Sequence, residues 1–105
     1  MRVRVCQTSA IPAGGMKAAE VAGHPLLVAN IRGRFLAVED VCTHARARLS
    51  DGHLDENDCT VECPLHGGKF SLESGEALEF PAEDPLPVYP VTVIGGEIHV
   101  DLPDV

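Results

Sequence analysis

The chain has no tryptophan and only three phenylalanines and one tyrosine among its 105 residues, so it offers few flat faces on which bases or sugar rings could stack. Basic residues are also scarce. Eight Lys and Arg stand against sixteen Asp and Glu, a net charge of −8, and this balance excludes nucleic acid as a partner because phosphate binding needs a basic surface. The opening stretch MRVRVCQTSAIPAGG lacks the apolar core of a secretory signal, and no run approaches the roughly 20 apolar residues of a membrane span. No membrane partner is expected, and the chain is expected to reside in the cytoplasm. Free thiols survive there, and Cys6 and Cys59 are read as small buried residues outside any disulfide.

Helical periodicity is missing as well. What is present is a series of short strands broken by turns, in a chain whose length suits one domain over residues 1–105. Strands are expected at Arg2 to Cys6, Met16 to Val21, Leu26 to Ile31, Phe35 to Glu39, Thr60 to Glu62, Lys69 to Leu72, Ala77 to Phe80, Val88 to Ile94 and Glu97 to Leu102. Gly23-His24-Pro25 reads as a turn. Arg32-Gly33-Arg34 and Gly95-Gly96 read as tight hairpins. The fold class is all-β, an antiparallel sandwich or open barrel.

Four residues carry the chemistry. Cys42-Thr43-His44 is a Cys-x-His pair, Cys63-Pro64-Leu65-His66 is a Cys-x-x-His pair, and eighteen residues separate His44 from Cys63. Each pair offers one thiolate and one imidazole, and by composition alone each would arise roughly 0.2 times by chance. In an extended segment residues i and i+2 point the same way about 6.6 Å apart, so one loop can turn both of its donors towards a single centre. A mononuclear zinc ion accepts any mixture of four Cys and His, although finger-type spacings pair like with like. Mixed pairs suit a centre with two unlike ends better. A two-iron, two-sulfide cluster with Cys42 and Cys63 on the inner iron and His44 and His66 on the outer one is such a centre, the Rieske type. Pro64 stiffens the second loop, and Gly67 and Gly68 allow close approach of backbone to a ligand.

At these residues the chain resembles the small Rieske-type ferredoxins of bacterial ring-hydroxylating oxygenase systems. The resemblance runs over nearly the whole chain and is carried by Cys42-Thr43-His44, Leu49-Ser50-Asp51-Gly52, the stretch Glu62 to Phe70, and Glu97-Ile98-His99-Val100. It implies a Rieske fold whose cluster-binding region, formed by two ligand loops, spans about residues 40–82. It also implies one [2Fe-2S] cluster on Cys42, His44, Cys63 and His66, exposed histidine edges, and a third proline-containing loop at Phe80-Pro81-Ala82. The implied role is one-electron transfer, without catalysis on an organic substrate. The implied partners are a flavin-containing ferredoxin reductase and a terminal ring-hydroxylating oxygenase, served by a monomeric shuttle. The small subunit of an assimilatory nitrite reductase and a zinc-stabilised interaction module are the alternatives.

Departures from the wider Rieske group bear on the potential. Respiratory-chain relatives add a disulfide between the ligand loops, at positions held here by Ala47 and Leu65. They also place hydroxyl groups where this chain has Gly68 and Phe70. Hydrogen bonds to sulfur favour the reduced state, so their loss predicts a potential near the low end of the Rieske range of about −150 to +300 mV. Ala45 stands where glycine is common among the ferredoxins. Arg46 and Arg48 are unusual cations beside His44 and read either as solvated loop residues or as partner contacts. His24, His53 and His99 are expected to lie outside the site.

Overall fold

The computed structural model describes residues 1–43, 46–65 and 67–103. Its strands are β1 (Arg2–Gln7), β2 (Met16–Val21), β3 (His24–Ile31), β4 (Arg34–Glu39), β5 (His53–Asp55), β6 (Thr60–Glu62), β7 (Lys69–Ser71), β8 (Ala77–Glu79), β9 (Val88–Tyr89), β10 (Val91–Ile94) and β11 (Glu97–Asp101). Single 3-10 turns cover Thr8–Ala10 and Leu49–Asp51. The strands form three sheets, in the orders β1-β11-β10, β2-β3-β4-β9 and β5-β6-β7-β8. Each of the strand pairings is antiparallel.

The unbroken apolar run in β3 explains how the sheets associate. Successive side chains of a strand point to opposite faces, and here both faces are covered. Leu27, Ala29 and Ile31 enter one core with Val38, Leu49, Val61, Phe70 and Leu72. Leu26 and Val28 enter a second core with Ile11, Ala37, Ile98 and Val100. The sheet containing β3 is therefore the middle layer between the other two. Burying a Leu or Ile side chain is worth about 1.5–3 kcal/mol, so one strand contributes to both interfaces.

Three two-residue hairpins fix the registers. Ala22-Gly23, Arg32-Gly33 and Gly95-Gly96 have φ values of 51° and 81°, 54° and 89°, and 56° and 77°. Positive φ at both central positions is the type I′ geometry, whose twist matches the flanking strands. The glycine in the Arg32-Gly33 turn does what the sequence predicts, but Arg32 adopts the left-handed region as well.

Several boundaries differ from those read in the sequence. His24 and Pro25 belong to β3, paired with Val21 and Glu20, and the turn sits one step earlier, at Ala22-Gly23. The expected strand from Val88 to Ile94 is two strands. β9 pairs with β4 in the middle sheet and β10 with β11 in the outer one. Pro90 lies at the break, where the missing N–H cannot serve a ladder. Strand β5 was not anticipated, because His53-Leu54-Asp55 has little strand character without its partner β6. Cys6 is buried, but Cys59 is only half-buried. It has φ 56°, and its sulfur lies 3.9 Å from Nη2 of Arg34.

Gly52 follows the Leu49–Asp51 turn, and a Cβ built there would stand 1.9 Å from the carbonyl oxygen of Glu62 in β6. The clash is of the Cβ with backbone and cannot be relieved by a rotamer. Gly52→Ala is expected to destabilise the fold by about 3 kcal/mol in urea unfolding. Gly95→Ala, which meets nothing within 4 Å, should cost only the left-handed penalty of about 1–2 kcal/mol.

Tyr89, the sole tyrosine, is buried with its hydroxyl 3.4 Å from Oε1 of Glu39. Burial pushes its hydroxyl pKa up, and the Glu39 carboxylate adds to the rise. The folded state thus holds the phenolic proton more tightly than the unfolded chain does. This contribution is complete below the unfolded tyrosine value of about 10 and is lost as pH rises through the folded value. Ultraviolet titration should give an ionisation above pH 10, and Tyr89→Phe should remove that part of the alkaline loss of stability.

Candidate metal centre

The first cysteine loop leaves the end of β4 and closes on itself. Val41 and Arg48 form an antiparallel bridge, and the Cys42 N–H donates to the Ala47 carbonyl at 3.0 Å. Asp40 staples the base of the loop. Its carboxylate is 1% exposed and accepts two hydrogen bonds of 2.7 Å, one from the Ser50 N–H and one from the Ser50 hydroxyl. Its carbonyl accepts from the Leu49 N–H at 2.8 Å, and its own N–H donates to the Pro25 carbonyl at 2.8 Å. Both ends of the loop are thereby tied to the middle sheet.

The second loop joins β6 to β7 with the same closure. The Cys63 N–H donates to the Gly68 carbonyl at 2.7 Å. In each loop, then, the cysteine N–H bonds to the carbonyl five residues on. Gly67 has φ 74°, a left-handed turn that glycine enters without the Cβ penalty.

Cys42 and Cys63 point inward from these loops. They are 4% and 1% exposed and share the core formed with Leu49, Val61 and Phe70. Their side chains lie within hydrogen-bonding reach of each other. Burial pushes the Cys63 thiol pKa up, the Leu65 backbone N–H at its sulfur pulls it down, and the Cys42 thiol pushes it up again. The Cys63 thiol therefore resists ionisation unless a cation compensates the charge. As a donor set the two cysteines fit a metal centre that takes thiolate ligands.

His44 and His66 lie outside the described residues, as does Ala45. Thr43 and Gly67 beside them are half-buried. Arg46 and Pro64 are exposed, and Leu65 is 45% exposed. The loops thus present buried cysteines on one side and solvent on the other. The remaining histidines are engaged elsewhere or exposed. His24 packs edge-on against Tyr89 with ring centroids 6.1 Å apart, His99 Nε2 lies 3.9 Å from Glu97, and His53 is exposed. Among the described residues no group of three or more His, Cys, Asp and Glu is placed to hold an ion.

A third loop completes this end of the molecule. The Thr43 hydroxyl donates to the Asp84 carbonyl at 2.8 Å, fastening residues 80–87 to the first cysteine loop. Ala82 and Leu86 enter the core while Phe80 remains 82% exposed. Sequence reasoning pointed to Phe80-Pro81-Ala82 but missed the Thr43 to Asp84 tie. It also missed the staple at Asp40. A carboxylate two residues before a ligand pair and a serine ten residues beyond it are the traces that stapling leaves in the sequence.

Comparisons with known proteins place the whole chain. The model of the Rieske [2Fe-2S] domain matches residues 1–90. The 3-phenylpropionate/cinnamic acid dioxygenase ferredoxin subunit of Escherichia coli is 44% identical over 104 residues, 98% of this chain and 95% of that protein. Among solved structures, the ferredoxin of carbazole 1,9a-dioxygenase from Nocardioides aromaticivorans is similar with a TM-score of 0.92 and 32% identity, covering 95% of this chain and 96% of that one. A chain from a complex of reduced oxygenase and oxidised ferredoxin in carbazole 1,9a-dioxygenase matches with a TM-score of 0.87 and 39% identity, over 94% of this chain and 91% of that one. Among the described residues no helix is long and apolar enough to cross a membrane.

Ser50→Ala removes the hydroxyl donor and leaves one oxygen of the buried Asp40 carboxylate without its partner. An unsatisfied buried acceptor costs about 1–3 kcal/mol. The variant should unfold at correspondingly lower urea; unchanged stability would mean that Asp40 does not depend on this staple.

Proposed function

This chain belongs to the Rieske [2Fe-2S] domain family, and we propose that Cys42 and Cys63 hold one iron of its cluster while His44 and His66 hold the other. The protein is a one-electron carrier with one Rieske-type [2Fe-2S] cluster. The observation that carries the ligand assignment is the meeting of two buried thiols from two loops closed by the same hydrogen bond. The region that holds the cluster extends over about residues 40–82, within one domain of residues 1–105.

When bound, the cluster supplies a centre that takes up and releases a single electron. The chain's own residues keep that centre dry and fixed. The buried cysteines exclude water from the sulfur side, and the Leu65 N–H is directed at the Cys63 sulfur. The Asp40 staple and the two loop closures oppose movement of the ligand backbone. A site held this way changes charge with little rearrangement.

The electron is proposed to arrive from a flavin-containing, NAD(P)H-dependent ferredoxin reductase and to leave for a terminal ring-hydroxylating oxygenase in the breakdown of aromatic compounds. The likeness to a dioxygenase ferredoxin subunit, and to a ferredoxin solved with its oxygenase, supports this reading. The proposed setting is the cytoplasm and the proposed working form a monomer.

Substitution separates ligands from bystanders. Cys42→Ala and Cys63→Ala should lose iron and sulfide, and His66→Cys should abolish the Rieske absorption and resonance signature. His53→Ala should retain all of these. Full iron and sulfide in both cysteine variants would sink the ligand assignment. A reconstituted mixture in which the oxygenase turns over equally well without this protein would sink the carrier role.

Gly68 is buried and its carbonyl accepts the Cys63 N–H, while Phe70 is fully enclosed in the core. Neither side chain can donate a hydrogen bond to a sulfide. Redox titration should therefore give a potential towards the low end of the Rieske range, near about −150 mV. A midpoint well above 0 mV would contradict this account of Gly68 and Phe70.

A further inference from the structure

We propose that the outer face of the first cysteine loop, formed by Val41, Arg46, Ala47 and Arg48, is a docking surface for a redox protein whose own contact patch carries carboxylates around an apolar residue. The proposal rests on the reading that Cys42 belongs to the cluster site, and it names the chemistry of the partner there.

The charge pattern carries the argument. Sixteen carboxylates are available to eight cations, and among the described residues four of the cations use them, while exposed Lys17 on β2 does not. Arg2 pairs with Asp101, Arg4 with Glu97, Arg34 with Glu73 and Lys69 with Glu79, while Arg32 donates to the Asn57 amide. Among the described residues no carboxylate lies within 4.0 Å of Arg46 or Arg48, although both are exposed. Arg48 borders a cavity of about 70 Å³ together with Glu20 and Asp40. Glu20 forms no ion pair with it, and the Asp40 carboxylate is committed to Ser50.

The two arginines sit two residues apart, and Arg48 has extended backbone with φ −87° and ψ 127°. Both line the same depression, and two like charges held near each other repel. An incoming carboxylate relieves that repulsion, and the guanidinium fork can bind one through two parallel hydrogen bonds. Between the arginines and Val41, which is 43% exposed, lies an open depression of about 250 Å³ lined by Val41, Arg46, Ala47 and Arg48. It has room for one apolar side chain. A cationic rim around an apolar hollow on a strongly acidic protein orients an acidic partner towards this loop and away from the rest of the surface.

The test uses the full-length, cluster-loaded protein and the double variant Arg46→Glu/Arg48→Glu. Each reduced protein is mixed in stopped flow with an acidic one-electron acceptor, cytochrome b5, and separately with a basic one, cytochrome c. The electron lost by the protein reduces the haem iron from ferric to ferrous. At low ionic strength the variant should reduce cytochrome b5 about tenfold more slowly than wild type and cytochrome c faster, with the differences closing at about 0.5 M salt. Iron content and visible spectrum should be unchanged, and the potential of each protein is measured so that the rates are compared at matched driving force. Equal rates for the two proteins, or equal losses with both acceptors, would overturn the docking surface. So would sedimentation showing a wild-type dimer that the variant dissociates, since the loop would then be covered by a second copy. A wild type that reduces neither acceptor would remove the electron-carrier reading and the docking proposal with it.

Discussion

Two thiols held side by side in the core are the constraint on which the rest of this structure depends. Cys42 and Cys63 come from loops in different sheets, yet each points into the same buried cluster. Ionised without a cation, they would set two negative charges together in a medium of low dielectric. The arrangement makes chemical sense around a centre that takes up thiolate charge, and a [2Fe-2S] cluster of the Rieske type is that centre for this family. Keeping the sulfurs together against solvent requires rigid loops, and the fold supplies them. Each cysteine N–H closes its own loop, Asp40 staples the first loop to the middle sheet, and close contact at Gly52 holds the stems of both loops together.

The layered architecture serves the same end. Strand β3 lends alternate side chains to two cores, so the sheet from which the first loop leaves is braced on both faces. The β5 to β8 sheet, which carries the second loop, packs against one face only. Its strands are three residues long, short for independent stability. Its position therefore depends on Val61, Phe70 and Leu72, which are fully buried against the middle layer.

Much of this was legible because local and tertiary signals agree. Leu26 to Ile31 and Phe35 to Glu39 are apolar and joined by a glycine turn, and they form strands. Cys42 and Cys63, read as partners from their spacing, do meet in one core. Signals failed where geometry depends on a distant partner. Val88 to Ile94 reads as one strand, but Pro90 cannot serve a ladder, and the chain crosses between sheets there. His53-Leu54-Asp55 becomes a strand only because β6 lies beside it. Cys59 looks like a core residue by type, yet its left-handed backbone and its contact with Arg34 leave it half-buried. Asp40 was invisible as a staple because its partner, Ser50, is brought back by the loop that the carboxylate stabilises.

The central claim is that the two Cys and His pairs hold a single [2Fe-2S] centre with one sulfur-ligated and one nitrogen-ligated iron. The most direct measurement is low-temperature electron paramagnetic resonance of the dithionite-reduced protein, with iron, sulfide and zinc determined on the same sample. The account predicts a rhombic signal of low average g-value from one cluster per chain. A colourless, silent protein containing one zinc ion would contradict it.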